Sequence, residues 1–209
     1  MMNYEQEWDR ILNIKTTGRD DTISDFTRYP YEPTDYEVLE QVVNTGLIRR
    51  NNTLIDYGCG KGRVSFFLSS QTKCHTIGVE YNPRLYEKAL ANRDTACRGH
   101  LVTLLQQDAA DFAVPAYADR AFFFNPFSTA ILRTVMMNLL SSCQESPREF
   151  LLFFYYPSQA YIDYLLSLPQ LSLADTLVCH RNSPEHDTRE KLLIFRTGLY
   201  PPLFVVIQT

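Results

Sequence analysis

The stretch NTLIDYGCGKGRVSFFL, Asn52 to Leu68, limits the fold more than any other part of the chain. An apolar run breaks off into Gly58, Gly60 and Gly62 at alternate positions, and a helical pattern with Val64, Phe67 and Leu68 on one face starts at once. A strand that turns through glycines into a helix lets backbone approach a ligand, and it leaves unpaired N–H groups at the helix start. In open α/β sheets ligands bind outside the carboxyl ends of the strands, where such turns stand. Asp56 to Arg63 therefore reads as a binding loop rather than as a tight turn whose glycines serve conformation alone.

The rest of the chain repeats the alternation. Strands are expected at 53–57, 75–81, 101–107, 120–125, 149–156, 173–180 and 191–197. Helices are expected from Gly62, from Asn82 as N-cap with Pro83 at the first helical position, from Ser128, and from Ser158. Upstream, Thr34 and Glu37 have the spacing of a capping box for a helix that Gly46 ends. Near-continuous apolar strands between amphipathic helices imply an α/β fold, a doubly wound parallel sheet of seven strands covered on both faces. The final pair has no helix between them and should be antiparallel. Residues 31–209 read as one domain, and 1–30, with Trp8, Ile11, Leu12 and Ile14, as a helical extension or a lid over the acceptor side. The tail YPPLFVVIQT reads as core packing or an added edge strand.

Composition excludes several classes. A formal charge of −4 over 209 residues argues against coating duplex nucleic acid, which needs a basic footprint. The longest apolar runs, FLLFFYY and LFVVI, fall far short of the roughly 18 residues of a membrane span, and the polar start shows no secretory h-region. Cys59, Cys74, Cys97, Cys143 and Cys179 form no C-x-x-C and read as the reduced thiols of a cytoplasmic protein. His75, His100, His180 and His186 lack zinc spacing, so no metal is expected. Thirteen Tyr and thirteen Phe suggest an aromatic core or pocket.

Three ligands compete for the glycine loop. A phosphate-binding P-loop needs a hydroxyl after its lysine, but Gly62 follows Lys61. A dinucleotide fingerprint counted from Gly58 needs glycine where Arg63 stands, which disfavours a nicotinamide enzyme. The spacing present, Asp56-x-Gly58-x-Gly60-x-Gly62, resembles the first motif of class I S-adenosylmethionine-dependent methyltransferases. GVEYNP resembles their second motif, QQDAADF their third and FFFNPF their fourth, in order over residues 31 to 197. The fuller pattern is similar to a bacterial methyltransferase-like group of unassigned substrate.

The resemblance implies a Rossmann-like fold and a site. Tyr31, Thr34, Asp56, Gly58, Gly60 and Gly62 would serve the aminoacyl end of S-adenosyl-L-methionine, Glu80 its ribose diol, and Asp108 with the Ala109 amide its adenine. In amine-directed relatives an Asn-Pro-Pro-aromatic segment holds the acceptor nitrogen; here Asn125-Pro126-Phe127 is one proline short, so the methylated atom stays open. Asn125 is expected to position the acceptor, inside an aromatic wall of Phe127, Tyr155 and Tyr156. The acceptor is a small molecule or a protein side chain. The alternative is a non-catalytic sensor or interaction module that keeps the cofactor fold.

Overall fold

β1 (Thr53–Tyr57) lies at the centre of one sheet, flanked in parallel by β2 (His75–Glu80) and β4 (Arg120–Phe123). β3 (Val102–Gln106) continues outside β2 and β5 (Leu151–Tyr155) outside β4, both parallel to their neighbours. β7 (Lys191–Thr197) runs antiparallel to β5, and β6 (Leu171–Val178) pairs antiparallel with β7 at the edge. The order is thus β3-β2-β1-β4-β5-β7-β6, a Rossmann-like sheet whose winding reverses between β1 and β4. That reversal opens a crevice at the strand ends. This computed structural model describes residues 3–20, 31–179, 187 and 189–198. His180, His186, the tail 200–209 and the part of the expected extension at 21–30 lie outside them.

Period-two alternation sends Leu54, Phe122, Leu151 and Phe153 into one core and Ile55, Tyr57, Phe123, Leu152 and Phe154 into the other. The second core explains much of the aromatic content. Tyr57 and Phe123 are cross-strand partners with rings stacked at 4.8 Å, and Phe123 stacks in turn on its partner Phe154 at 4.4 Å. Such pairs add about 0.5–1.5 kcal/mol each beyond their burial. α5 (Thr129–Glu145) and α6 (Gln159–Ser167) cover this face, each started by the expected serine cap, Ser128 and Ser158. α3 (Arg63–Thr72) covers the other face, and α4 (Pro83–Thr95) begins at Asn82 as expected.

Upstream stand α1 (Tyr4–Leu12) and α2 (Tyr36–Asn44), and here one expectation is corrected. Thr34 and Glu37 form no capping box: the N-cap is Asp35, with no side-chain cap hydrogen bond. Glu5 of α1 takes over that role, its carboxylate accepting from the Tyr36 amide at 3.1 Å. Gly46 does end the helix, in the left-handed region at φ 67°.

The α1 and α2 segments join the body through Arg63, only 2% exposed at the first turn of α3. Its guanidinium donates to Thr16 Oγ1 at 2.7 Å, Thr17 Oγ1 at 3.1 Å and the Thr34 carbonyl at 3.1 Å, pairs with Glu5, and lies 4.3 Å over the Tyr36 ring. Asp9 completes the set. It accepts from the amides and hydroxyls of Thr16 and Thr17 and from the Tyr36 hydroxyl, with Arg63 Nη2 at 3.7 Å. Removing one partner from a buried ionic network leaves the others uncompensated, at a cost of about 3–5 kcal/mol. Arg63→Ala is therefore expected to lower unfolding stability by that order in urea melts, and Arg63→Lys to recover little, because an ammonium lacks the fork that reaches these partners at once.

Candidate functional site

The crevice at the switch point encloses about 1050 Å³, its mouth included. Its floor is the loop between β1 and α3, and its walls come from the ends of β2, β3 and β4. All three loop glycines have positive φ, at 70°, 56° and 88°. The protein itself demands all three: a Cβ on Gly58 would strike Pro126, one on Gly60 the Tyr31 ring, and one on Gly62 the Phe66 ring. The loop is thus clamped between the end of β4 and the segment before α2. Cys59 packs against Gly78, its sulfur lying only 2.8 Å from where a Cβ on that glycine would stand.

The loop is also tied from beneath. The Gly58 and Cys59 amides donate to the Val79 carbonyl at 2.9 and 3.2 Å, and the Gly60 amide donates to Glu80 Oε2 at 2.8 Å. Glu80 Oε1 accepts from the Asn82 amide at 2.8 Å, so one carboxylate fixes both the loop and the entry to α4. Burial raises the Glu80 pKa, and the amides of Asn82, Gly60 and Tyr81 offset part of the rise. An ionised carboxylate offers about four acceptor positions, so these three amides do not exhaust it.

Asp56, 2% exposed, accepts from the Ser65 amide at 3.2 Å and the Ser65 hydroxyl at 2.7 Å. α3 starts from a glycine with no side-chain cap, and Asp56 supplies the missing acceptor from the strand. Burial pushes its carboxyl up to about 7, eased by Ser65 and reinforced by the charge of Glu80.

The other expected residues divide. Tyr31 and Thr34 line the cleft, but the Tyr31 hydroxyl donates to the Thr16 carbonyl at 2.8 Å and the Thr34 carbonyl serves Arg63. Asp108 caps a short 3-10 turn through the Ala110 amide at 3.0 Å and lines the cleft with Ala109. Pro126 and Phe127 line it too, Phe127 as a buried ring whose carbonyl accepts from Tyr161 at 2.5 Å. Tyr155 and Tyr156 line a neighbouring cleft instead, and Asn125 lines both. The Asn125 carboxamide is engaged by the end of β5: Nδ2 donates to the Tyr156 carbonyl at 2.5 Å and Oδ1 accepts from the Ser158 amide at 3.3 Å.

One site residue escaped the sequence reading. Tyr57 lines the cleft, is 2% exposed, and its hydroxyl has no hydrogen-bond partner among the described residues. A buried hydroxyl left so costs about 1–3 kcal/mol. It thereby favours a ligand that brings a polar atom to that depth. The available signal was a tyrosine in place of an aliphatic residue at the end of β1.

The Asp56 shift predicts a pH dependence. A carboxyl whose pKa is higher folded than unfolded holds its proton longer in the fold, so its contribution is complete below about 3.8 and is lost as pH rises to about 7. Asp56→Asn, which keeps an acceptor for Ser65, is expected to remove that part of the decline in stability between pH 4 and 7. Urea melts of both proteins across the range measure it, and parallel profiles would refute it.

Comparison with known proteins agrees with this geometry. A family model described as a methyltransferase domain matches residues 48–162, more than half of the chain. Among curated proteins, a histone-lysine N-methyltransferase, H3 lysine-79 specific, of Dictyostelium discoideum is 36% identical over 62 residues. A tRNA1(Val) (adenine(37)-N6)-methyltransferase of Mannheimia succiniciproducens is 34% identical over 65 residues. Each match covers 30% of this chain, but only 3% and 27% of the respective relatives. Among solved structures, the magnesium protoporphyrin IX methyltransferase of Synechocystis PCC 6803 with bound SAM superposes with a TM-score of 0.57 at 20% identity, over 77% of this chain and 76% of that one. An RNA methyltransferase of Salinibacter ruber in complex with S-adenosyl-L-homocysteine gives 0.53 at 17% identity, over 80% and 94%. At these identities the structures attest the fold, and the family match carries the assignment: the chain belongs to the methyltransferase-domain family.

Proposed function

We propose that the protein is an S-adenosyl-L-methionine-dependent methyltransferase. The observation that carries this reading is the pairing of Glu80, buried beneath Gly60 with acceptor capacity to spare, and Tyr57, a buried hydroxyl without a partner among the described residues, in one cleft at the switch point. Glu80 would take the ribose diol. Asp108 and the Ala109 amide would take the adenine, and Tyr57 a further polar atom at the cleft floor. Gly58, Gly60 and Gly62 shape the turn for the aminoacyl end. Asp56 acts on that end through the loop, and Tyr31 and Thr34 close it from above.

When bound, the cofactor supplies a methyl group activated by a sulfonium, and transfer requires a nucleophile in line with it. Positioning therefore provides much of the rate, and no metal is required. Asn125 lines both clefts, where the acceptor atom would meet the methyl group, with Pro126 and Phe127 on the cofactor side and Tyr155 and Tyr156 continuing the wall on the acceptor side. Asn125 is held at φ 39° by β5, so it is a fixed edge of the passage. No helix among the described residues is long and apolar enough to cross a membrane. The free cysteines support a cytoplasmic setting.

Titration calorimetry with S-adenosyl-L-homocysteine tests the reading, with NADH as control. Binding of the former alone is expected. Glu80→Gln should weaken it roughly ten- to a hundredfold, since it removes charge from hydrogen bonds worth about 1.5–3 kcal/mol. Tyr57→Phe should weaken it less while raising the stability of the ligand-free protein, because it deletes the orphaned hydroxyl. Binding without transfer of a labelled methyl group to any extract fraction would favour the non-catalytic alternative.

A further inference from the structure

Lys61 follows Gly60 in the glycine loop, yet it is 8% exposed and stands outside the lining of the cofactor cleft. Its ammonium turns to the upstream chain, donating to the carbonyls of Gly18 at 2.9 Å, Thr17 at 3.3 Å and Thr16 at 3.5 Å. An ammonium has three donors, and three successive carbonyls answer them. α4 holds the same segment: Asn92 accepts from the Lys15 amide at 2.8 Å and donates to the Lys61 carbonyl at 2.9 Å, and Lys88 pairs with Asp20 at 2.8 Å.

The gathered segment is tied to the cleft wall. Asp20 and Tyr31 exchange backbone hydrogen bonds at 3.0 and 3.1 Å, and Tyr31, Glu32, Pro33 and Thr34 line the cleft. The Tyr31 hydroxyl donates at 2.8 Å to the Thr16 carbonyl, one of the three at Lys61, and the ammonium lies 4.6 Å over the Tyr31 ring. The same ring occupies the space where a side chain on Gly60 would stand, and the Gly60 amide donates to Glu80 Oε2 at 2.8 Å. An unbroken run of contacts thus leads from Lys61 through Thr16, Tyr31 and Gly60 to the buried carboxylate of the cleft.

We infer that Lys61 is a positioning residue for the cofactor: it holds residues 16–18 in the place from which Tyr31 seats Gly60 over Glu80, so that docking of this segment and occupancy of the cleft are linked. The inference rests on the cofactor reading for the identity of the ligand. A ligand shifts a conformational equilibrium only through contacts that differ between the two states. Here the wall formed by Tyr31 to Thr34 supplies them, because it moves with the segment. The linkage is reciprocal: what the ammonium adds to cofactor affinity, bound cofactor returns as protection of residues 16–18. Lys61 acts through these residues and through Tyr31, and touches no ligand atom itself.

The test pairs titration calorimetry of the full chain with S-adenosyl-L-homocysteine and hydrogen exchange of the amides of residues 16–18 with and without that ligand. Lys61→Met keeps a long side chain without the ammonium, and should weaken binding about fivefold or more, the lower end of the range for coupled sites. Lys61→Arg keeps charged donors and should recover most of the loss. Bound ligand should slow exchange at residues 16–18 in the wild type, and much less in Lys61→Met. Leu139→Ala, a cavity in the core beneath α5, should lower stability in urea melts without changing affinity, which separates positioning from a general loss of stability. Equal affinity in wild type and folded Lys61→Met, an equal loss in Leu139→Ala, or wild-type exchange at residues 16–18 indifferent to bound ligand would overturn the inference and leave the cofactor reading standing. The exchange measurement on the wild type depends on no variant folding. A wild type that does not bind S-adenosyl-L-homocysteine would overturn the cofactor reading, and the role of Lys61 with it.

Discussion

The buried guanidinium of Arg63 is the constraint on which the functional end of the molecule depends. It stands one residue beyond the glycine loop and gathers Glu5, Thr16, Thr17 and Thr34 around the start of α3. Lys61, on the loop itself, reaches the same segment through the Gly18 carbonyl at 2.9 Å and lies 4.6 Å over the Tyr31 ring. Asn92 of α4 bonds both the Lys61 and the Lys15 carbonyls. A loop of glycines is entropically the least suited backbone to hold one shape. Here its shape is imposed from outside, by cations on the loop and at its helix reaching carbonyls and hydroxyls of an upstream segment.

The two faces of the sheet divide the labour. On one, the stacked rings of Tyr57, Phe123 and Phe154 lock neighbouring strands in register, so their carboxyl ends are held in fixed relation. On the other, α3 and the segments bound to Arg63 set the loop. The cleft lies where both meet, and its two buried carboxyls have distinct roles. Asp56 faces the start of α3 and builds the turn, whereas Glu80 faces the loop from the next strand and retains capacity toward a ligand.

The sheet was legible because its information is local. Alternating apolar strands, the serine caps of α5 and α6, and Asn82-Pro83 each specify an element within a few residues, and all appear where their chemistry puts them. The cap of α2 was misread because Glu5, thirty-one positions away, answers the Tyr36 amide, and no local pattern reports a long-range acceptor. The same limit hid Arg63, which in the sequence only spoils a dinucleotide fingerprint. Glycine positions were readable, but their reason was not: Tyr31 and Pro126 press on the loop from distant parts of the chain. The division of the aromatic residues between two clefts likewise depends on where β4 and β5 end, and a strand reading places ends only to within a residue or two.

The anchoring of the loop to residues before the sheet bears on what can be cut out and moved. The family match begins at residue 48, and a fragment with that boundary keeps every strand through β5 and all three loop glycines. It would nevertheless leave Arg63 facing the places of Glu5, Asp9 and Thr16 with nothing but solvent, and Gly60 without the ring that seats it. The smallest transplantable unit of this site is therefore longer than the stretch that identifies it, and grafts onto other sheets must carry α1 along.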